Sequence, residues 1–544
     1  MKNTWLLISL IMIGAVWAPV ATGQHSDRSA TGSLITSSAE VSDALNATPS
    51  RKGFGWLDYA ALGFYLAAMV GIGWYCSRRN KNTDDYFKAA GRIPWWAAGL
   101  SIYATMLSSI TFMAIPAKAY ATDWTYFWAS LPILLLAPVI IRLYLPFYRR
   151  LNITSAYEYL ELRFNLLARL YGSASFIMFQ IGRQAIVLLL PALALATVSE
   201  LEVGLCITIM GVLCVIYTVM GGVEAVVWTD VAQIGVLVGA AVVSLVLIVY
   251  GADGTGVGQF FVVANNADKF HMFNWTLNPD AKTNAFWVIL IGNFFINLVP
   301  YTSDQAVVQR YMTTKDEAMA ARAIWLNGLI ALPSTALFFS IGTALFVFYR
   351  VHPEKLASSQ VTDAIFPAFI VQNLPMGIAG LVIAGIFAAA QSTVSGSLNS
   401  VTTVIMTDYC RRFGFLTDKV RSLRSARLIT GGLGMFATCA ALILAKTGLQ
   451  SLWDAYNSLV GLVGSGLAGL FALGIFSRRA NGTGAMIGAL ASAIVLYLVQ
   501  QNTNLHFFLY AAVGIITCVW VGWLASLCFP SPARQDLKGL TIFR

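Results

Sequence analysis

Residues 389–400 read Ala-Ala-Gln-Ser-Thr-Val-Ser-Gly-Ser-Leu-Asn-Ser, inside a stretch from about 374 to 406 that carries almost no charge. That stretch is long enough to cross a bilayer as a helix. On a helix Ser392 and Ser395 stand three apart and share a face, and Thr393 and Ser400 widen the polar surface. Neutral oxygen ligands suit an alkali ion, which must bind and then leave. Small hydroxyl residues also let helix backbones approach one another closely. On this run alone, an ion site and a packing seam both remain open.

Four further residues carry charge into apolar surroundings. Arg183 lies near the middle of a long apolar segment, between Gln180 and Gln184. A central arginine costs about 2.5–3.5 kcal/mol on insertion scales, so it must face a cavity or a partner. Its planar fork matches a carboxylate, which makes it a candidate clamp for an anionic solute. The competing reading is a structural pair with an internal acid, or snorkelling. Asp230 opens the sixth apolar segment; it either completes an oxygen cage with Ser392 and Ser395 or caps its helix against the dipole. Asp304 and Asp454 are weaker candidates, near the interface or in a gate.

The elements that must position these residues follow from composition. The chain has 544 residues, 58% hydrophobic and 11% charged, against about 25% charge in an average soluble domain. It is therefore an all-α polytopic membrane protein. The net charge of +10 sits in short loops between apolar segments, which is a topology signal and not a nucleic-acid patch. Seven scattered cysteines give no disulfide framework and no Cys/His metal spacing. About thirteen spans are expected, near 54–76, 95–119, 126–148, 166–197, 203–220, 224–250, 284–309, 319–349, 374–406, 426–446, 450–476, 482–501 and 507–529. Residues 1–23 resemble a cleavable signal, and 24–53 form a polar segment outside the membrane. Alternate loops hold the Lys and Arg residues, including Arg149 with Arg150, Arg310 with Lys315, and Arg478 with Arg479. This puts the N-terminus outside and the tail 530–544 in the cytoplasm. No hydrophilic stretch is long enough for a soluble catalytic domain, so an enzyme is not expected.

Two spans look broken. The second holds Gly99, the polar run Thr105–Ser109 and Pro116; the seventh holds Asn293, Asn297 and Pro300-Tyr-Thr-Ser-Asp304-Gln305. Such interruptions are tolerated where a helix lines a cavity, although a proline kink also occurs without function. They lie five spans apart, as expected for inverted repeats over about 95–250 and 284–476 with a site between them.

These pieces resemble the sodium/solute symporter family. The resemblance rests on Tyr217-Thr-Val-Met-Gly-Gly222 followed by Glu224-Ala-Val-Val-Trp-Thr-Asp230-Val-Ala-Gln233, and on Asp304-Gln305 with Gln309-Arg310-Tyr311. It implies the leucine-transporter fold, with inverted five-helix repeats and flanking helices. It also implies a sodium site made of the backbone carbonyls of Ala104, Leu107 and Ala389 with the hydroxyls of Ser392 and Thr393. Members with a second sodium add an aspartate at Asp230 and further hydroxyls, here Ser392 and Ser395; one frequent hydroxyl position is Gly396 in this chain.

Within the family, Ser101-Ile-Tyr-Ala-Thr-Met-Leu-Ser108-Ser-Ile-Thr111 and Ile115-Pro-Ala-Lys118 look most like bacterial sialic-acid symporters. The resemblance implies that Arg183, Ser108 and Thr111 hold a substrate carboxylate. Tyr126 and Ser130 stand where those transporters carry a phenylalanine and a glutamine facing the sugar. The expectation is a multi-pass protein of the bacterial inner membrane that couples Na+ entry to uptake of a small anionic sugar, with the lipid bilayer as its surroundings and no obligate protein partner. Uptake of a neutral sugar, monocarboxylate or amino acid is the nearest alternative. A substrate sensor or a sodium-leak channel on the same fold is the more distant one.

Overall fold

The computed structural model describes residues 55–78, 83–151, 153–199, 201–251, 254–280, 283–356, 365–415, 419–446, 460–530, 537 and 539–542. The expected leader 1–23, the polar segment 24–53 and Asp454 lie outside these residues. Among the described residues all extended elements are helices, and one isolated bridge joins Asp280 to Leu505. Ten helices among the described residues are long and apolar enough to cross a bilayer, or eleven when the bent second span is taken as one.

One of these helices, Val203–Tyr250, runs for 48 residues, more than twice what a bilayer needs. It turns at Gly222 (φ 59°, ψ −153°) and so supplies both the fifth and the sixth spans. A side chain has no room at this turn. A Cβ on Gly222 would lie 2.7 Å from the ring and from the carbonyl oxygen of Tyr86, and the backbone angle itself favours glycine. The eleventh span is described from Val460, as a π turn to Gly464 followed by the helix Ser465–Phe476. With the Gly222 turn and this shorter helix, the thirteen expected segments appear in order.

Both expected breaks occur, each at a short polar residue. The second span consists of Trp95–Met106 and Ser109–Ala121, with the two halves bent by 61°. Leu107 and Ser108 are extended between them, and Ser108 caps the second half by accepting from Thr111 N. The seventh span consists of Phe286–Ser303 and Gln305–Met312, with extended Asp304 accepting from Ala306 N at 2.7 Å. A cap of this kind satisfies a backbone donor that the broken helix would leave bare. Gly99, Pro116 and Pro300 lie inside helical halves, so the caps and not the prolines mark the breaks.

The ninth span, Ile378–Val404, is the centre of the bundle. Every residue from Val382 to Val404 is buried, including the whole hydroxyl run. It packs against the first, fourth, fifth, sixth and tenth spans and against both halves of the second. Beyond Val404 it widens into a π-helix, Ile405–Arg411. Asp408 in that stretch accepts from Arg169 Nε at 2.9 Å and Nη2 at 2.6 Å, and from Ser155 Oγ at 2.7 Å. Arg169 also bonds Glu161 at 2.7 Å, and Glu161 pairs with Arg412 at 2.7 Å. Hydrogen bonding from Arg412, helped by Arg169, holds the Glu161 carboxyl below the usual range despite partial burial.

Candidate functional site

The break in the second span and the hydroxyl run of the ninth meet face to face. Ser392 Oγ donates to Ala104 O at 3.0 Å and lies 3.1 Å from Ala389 O. Thr393 Oγ1 lies 3.3 Å from Ala389 O. Four of the five expected sodium ligands are thus gathered, all buried and all uncharged. The fifth, Leu107, sits at the break itself, with its N–H bonded to Tyr103 O. Hard neutral oxygens from two helices suit a monovalent cation held loosely enough to exchange.

A second locus lies against the same two helices and is charged. Arg310 Nη2 stands 3.2 Å from Asp230 Oδ2, and both side chains are buried. Ser101 Oγ bridges the pair, donating to Asp230 Oδ2 at 2.5 Å and accepting from Arg310 Nε at 2.7 Å. Arg310 Nη1 also donates to Ala306 O. Two expectations change here. Asp230 is not a helix cap, since the sixth span begins just after Gly222 and Asp230 lies about two turns inside it. Arg310 is not a loop charge but one of the largest fully buried side chains. Ser395 is buried on the same helix face and contacts the Ser392 carbonyl at 3.3 Å.

The third locus surrounds Arg183. Its Nη2 donates to Thr105 O at 2.7 Å, one turn before the break. Its Nε is buried without a hydrogen-bond partner. The charge of Arg183 acts on Asp304, whose two oxygens take Gln180 Nε2 at 3.1 and 3.0 Å. Gln180 Oε1 in turn accepts from Ser397 Oγ at 2.8 Å. Ser108 lies in the break and Thr111 just beyond it, with their hydroxyls 3.3 Å apart. Tyr126 and Ser130 have other partners. Tyr126 OH donates to Asn284 Oδ1 at 2.6 Å, beneath Phe508 and with Lys118 Nζ 4.6 Å from its ring; Ser130 Oγ donates to Phe127 O.

The sodium:solute symporter family model matches residues 86–492. The chain belongs to this family. Symporters of the family that resemble it include the sodium/sialic acid symporter NanT of Aliivibrio fischeri, 42% identical over 488 residues that cover 89% of this chain and 96% of the relative. The sodium/sialic acid symporter SiaT of Proteus mirabilis is also 42% identical, with 89% and 97% covered. A solved structure of a Na+-coupled sialic acid symporter, in a substrate-bound outward-open state described as revealing a novel Na+ site, matches with TM-score 0.82 and 40% identity over 88% of this chain and all of that one. A nucleobase-cation-symport-1 family transporter matches with TM-score 0.56 at 16% identity, which speaks for the fold alone. The protein is thus a multi-pass sodium-coupled symporter with the leucine-transporter fold.

Within this symporter the sequence reading missed the partners of its charges. Asp230 meets Arg310 across 80 residues, and Asp304 meets Gln180 across 124. Gln180 carried a signal, since an amide one turn from a buried arginine in an apolar segment needs a partner. Arg310 carried none, because it follows a proline-containing stretch that reads as the end of a span.

Proposed function

We propose that the symporter imports sialic acid or a closely related anionic sugar with sodium, by alternating access. The observation that carries this is the buried Arg183 beside the break in the second span, with one guanidinium nitrogen free of partners. A substrate carboxylate would take that nitrogen and the hydroxyls of Ser108 and Thr111, while Tyr126 and Ser130 flank the wider mouth. The likeness to two sialic acid symporters at 42% identity supports the same substrate class.

Sodium is held by the carbonyls of Ala104, Leu107 and Ala389 with the hydroxyls of Ser392 and Thr393. It ties the second span to the ninth and favours the outward-facing state. Substrate then closes the outer side, and rocking of the repeats near 95–250 and 284–476 opens the inner one, loosening the oxygen cage so that both solutes leave. The protein works in the bacterial inner membrane with its N-terminus outside.

The test is uptake by proteoliposomes with and without a sodium gradient, using sialic acid, lactate, galactose and proline. Sodium-driven uptake of sialic acid alone is expected. Arg183→Ala should weaken its half-saturation by about 2–4 kcal/mol, roughly 30- to 1,000-fold. Unchanged affinity in that variant would remove the clamp. Uptake of lactate in preference to sialic acid would favour the monocarboxylate reading, which the same free nitrogen could serve.

A further inference from the structure

We propose that the Asp230 locus carries its own cation in Arg310, so that the transport cycle uses one sodium ion per substrate and not two. A second sodium was expected on Asp230 and Ser395, and the residues present do not fit it. The guanidinium of Arg310 already occupies Asp230 Oδ2 at 3.2 Å, and Ser101 bridges the same oxygen to Arg310 Nε. Asp230 Oδ1 is buried and has no hydrogen-bond partner. A sodium ion on that oxygen would share one carboxylate with the guanidinium, and two monocations so close in a medium of low dielectric repel strongly.

Residue 396 decides where the guanidinium rests. A Cβ on Gly396 would lie 2.7 Å from Arg310 Nη2 and 3.5 Å from Thr105 Oγ1. The missing side chain is therefore the space that Arg310 fills. A serine there would remove that space and add a hydroxyl ligand in one step, so glycine supplies the room for a built-in cation and withholds the oxygen that a mobile one would use.

The charge balance agrees. Arg310 lies within electrostatic reach of Asp230, Asp304 and Arg183, and Arg183 within reach of Asp304. A monoanionic substrate on Arg183 adds one negative charge, and one sodium at the neutral oxygen locus cancels it. Transport of sialic acid would then be electroneutral. That last step rests on the proposed substrate; the ion ratio does not.

The experiment measures 22Na+ and labelled substrate fluxes in proteoliposomes holding the full-length protein, with the membrane potential clamped by potassium and valinomycin. The wild type is expected to move one sodium per substrate, with a Hill coefficient near 1 and uptake indifferent to potential. A ratio of two, or uptake driven by an inside-negative potential with sialic acid as substrate, overturns the proposal even while sodium-driven uptake upholds the symport reading. Gly396→Ser is expected to raise the ratio towards two and make uptake respond to potential. A folded, active Gly396→Ser that keeps the wild-type ratio removes residue 396 from the argument. The paired variant Asp230→Asn/Arg310→Gln, which replaces the ion pair with neutral amides, is expected to keep a ratio of one; a fall in the Hill coefficient or the ratio in it would show that Asp230 binds transported sodium.

Discussion

The two loci on the inner face of the ninth span use opposite chemistry a turn apart. Around Ser392 the oxygens belong to hydroxyls and backbone carbonyls, and none is charged. Around Gly396 a carboxylate and a guanidinium are locked together with a serine between them. A neutral cage binds a cation only as well as its dipoles allow, so the ion can leave. A buried ion pair is held by mutual need, because removing either partner strands the other. The difference separates a set of neutral oxygens suited to an exchangeable cation from an acid that already holds one.

The largest effect should come from breaking the fixed pair. Arg310→Ala leaves Asp230 buried without its partner, and a loss of about 3–5 kcal/mol of stability is expected from thermal or denaturant unfolding in detergent. Adding Asp230→Asn should recover much of that loss, and a double variant no more stable than the single one would argue that the pair is not the source. Ser392→Ala comes next. It removes a hydroxyl that reaches both Ala104 and Ala389, and should raise the sodium concentration for half-maximal uptake about tenfold, roughly 1.4 kcal/mol, with little change in stability. An unchanged sodium dependence would place the exchangeable ion elsewhere. The smallest effect is expected from Ser395→Ala, whose hydroxyl contacts the Ser392 carbonyl and the Tyr217 hydroxyl but neither carbonyl of the Ser392 cage. Its sodium half-saturation should stay within about twofold, and a shift as large as that of Ser392→Ala would merge the two loci into one.

Much of this was legible in the sequence because it is written locally. A bilayer-length apolar run, a polar interruption and a cluster of hydroxyls each announce themselves within a few turns. Hence the spans, both breaks and the meeting of Ser392 with Ala104 and Ala389 were expected where they are. The charged locus was not, because its meaning depends on pairing across the fold. Arg310 reads as a cytoplasmic loop residue when hydropathy is averaged over a window, yet the seventh span restarts after Asp304 and carries it inward. Asp230 reads as an acid near the start of a span expected over 224–250, where a cap and a ligand look alike, while the Gly222 turn places it about two turns inside the helix. Gly396 was noticed as a missing hydroxyl, but only the position of the Arg310 guanidinium gives that absence a purpose. The partners of Tyr126 were beyond reach for the same reason, since Asn284 and Phe508 come from distant segments.

The ninth span can also be regarded as a mechanical member. Sixteen residues separate Ser392 from Asp408, about 24 Å of helix at 1.5 Å per residue. The rod is stiff where it is α-helical and closely packed. Its last turns, Ile405–Arg411, are π-helical, with each hydrogen bond spanning five residues and not four. A change of helix geometry thus lies in series between the Ser392 cage and the Arg169 contact at Asp408. A displacement of Ser392 along this span would have to enter the π turns before it reached that contact.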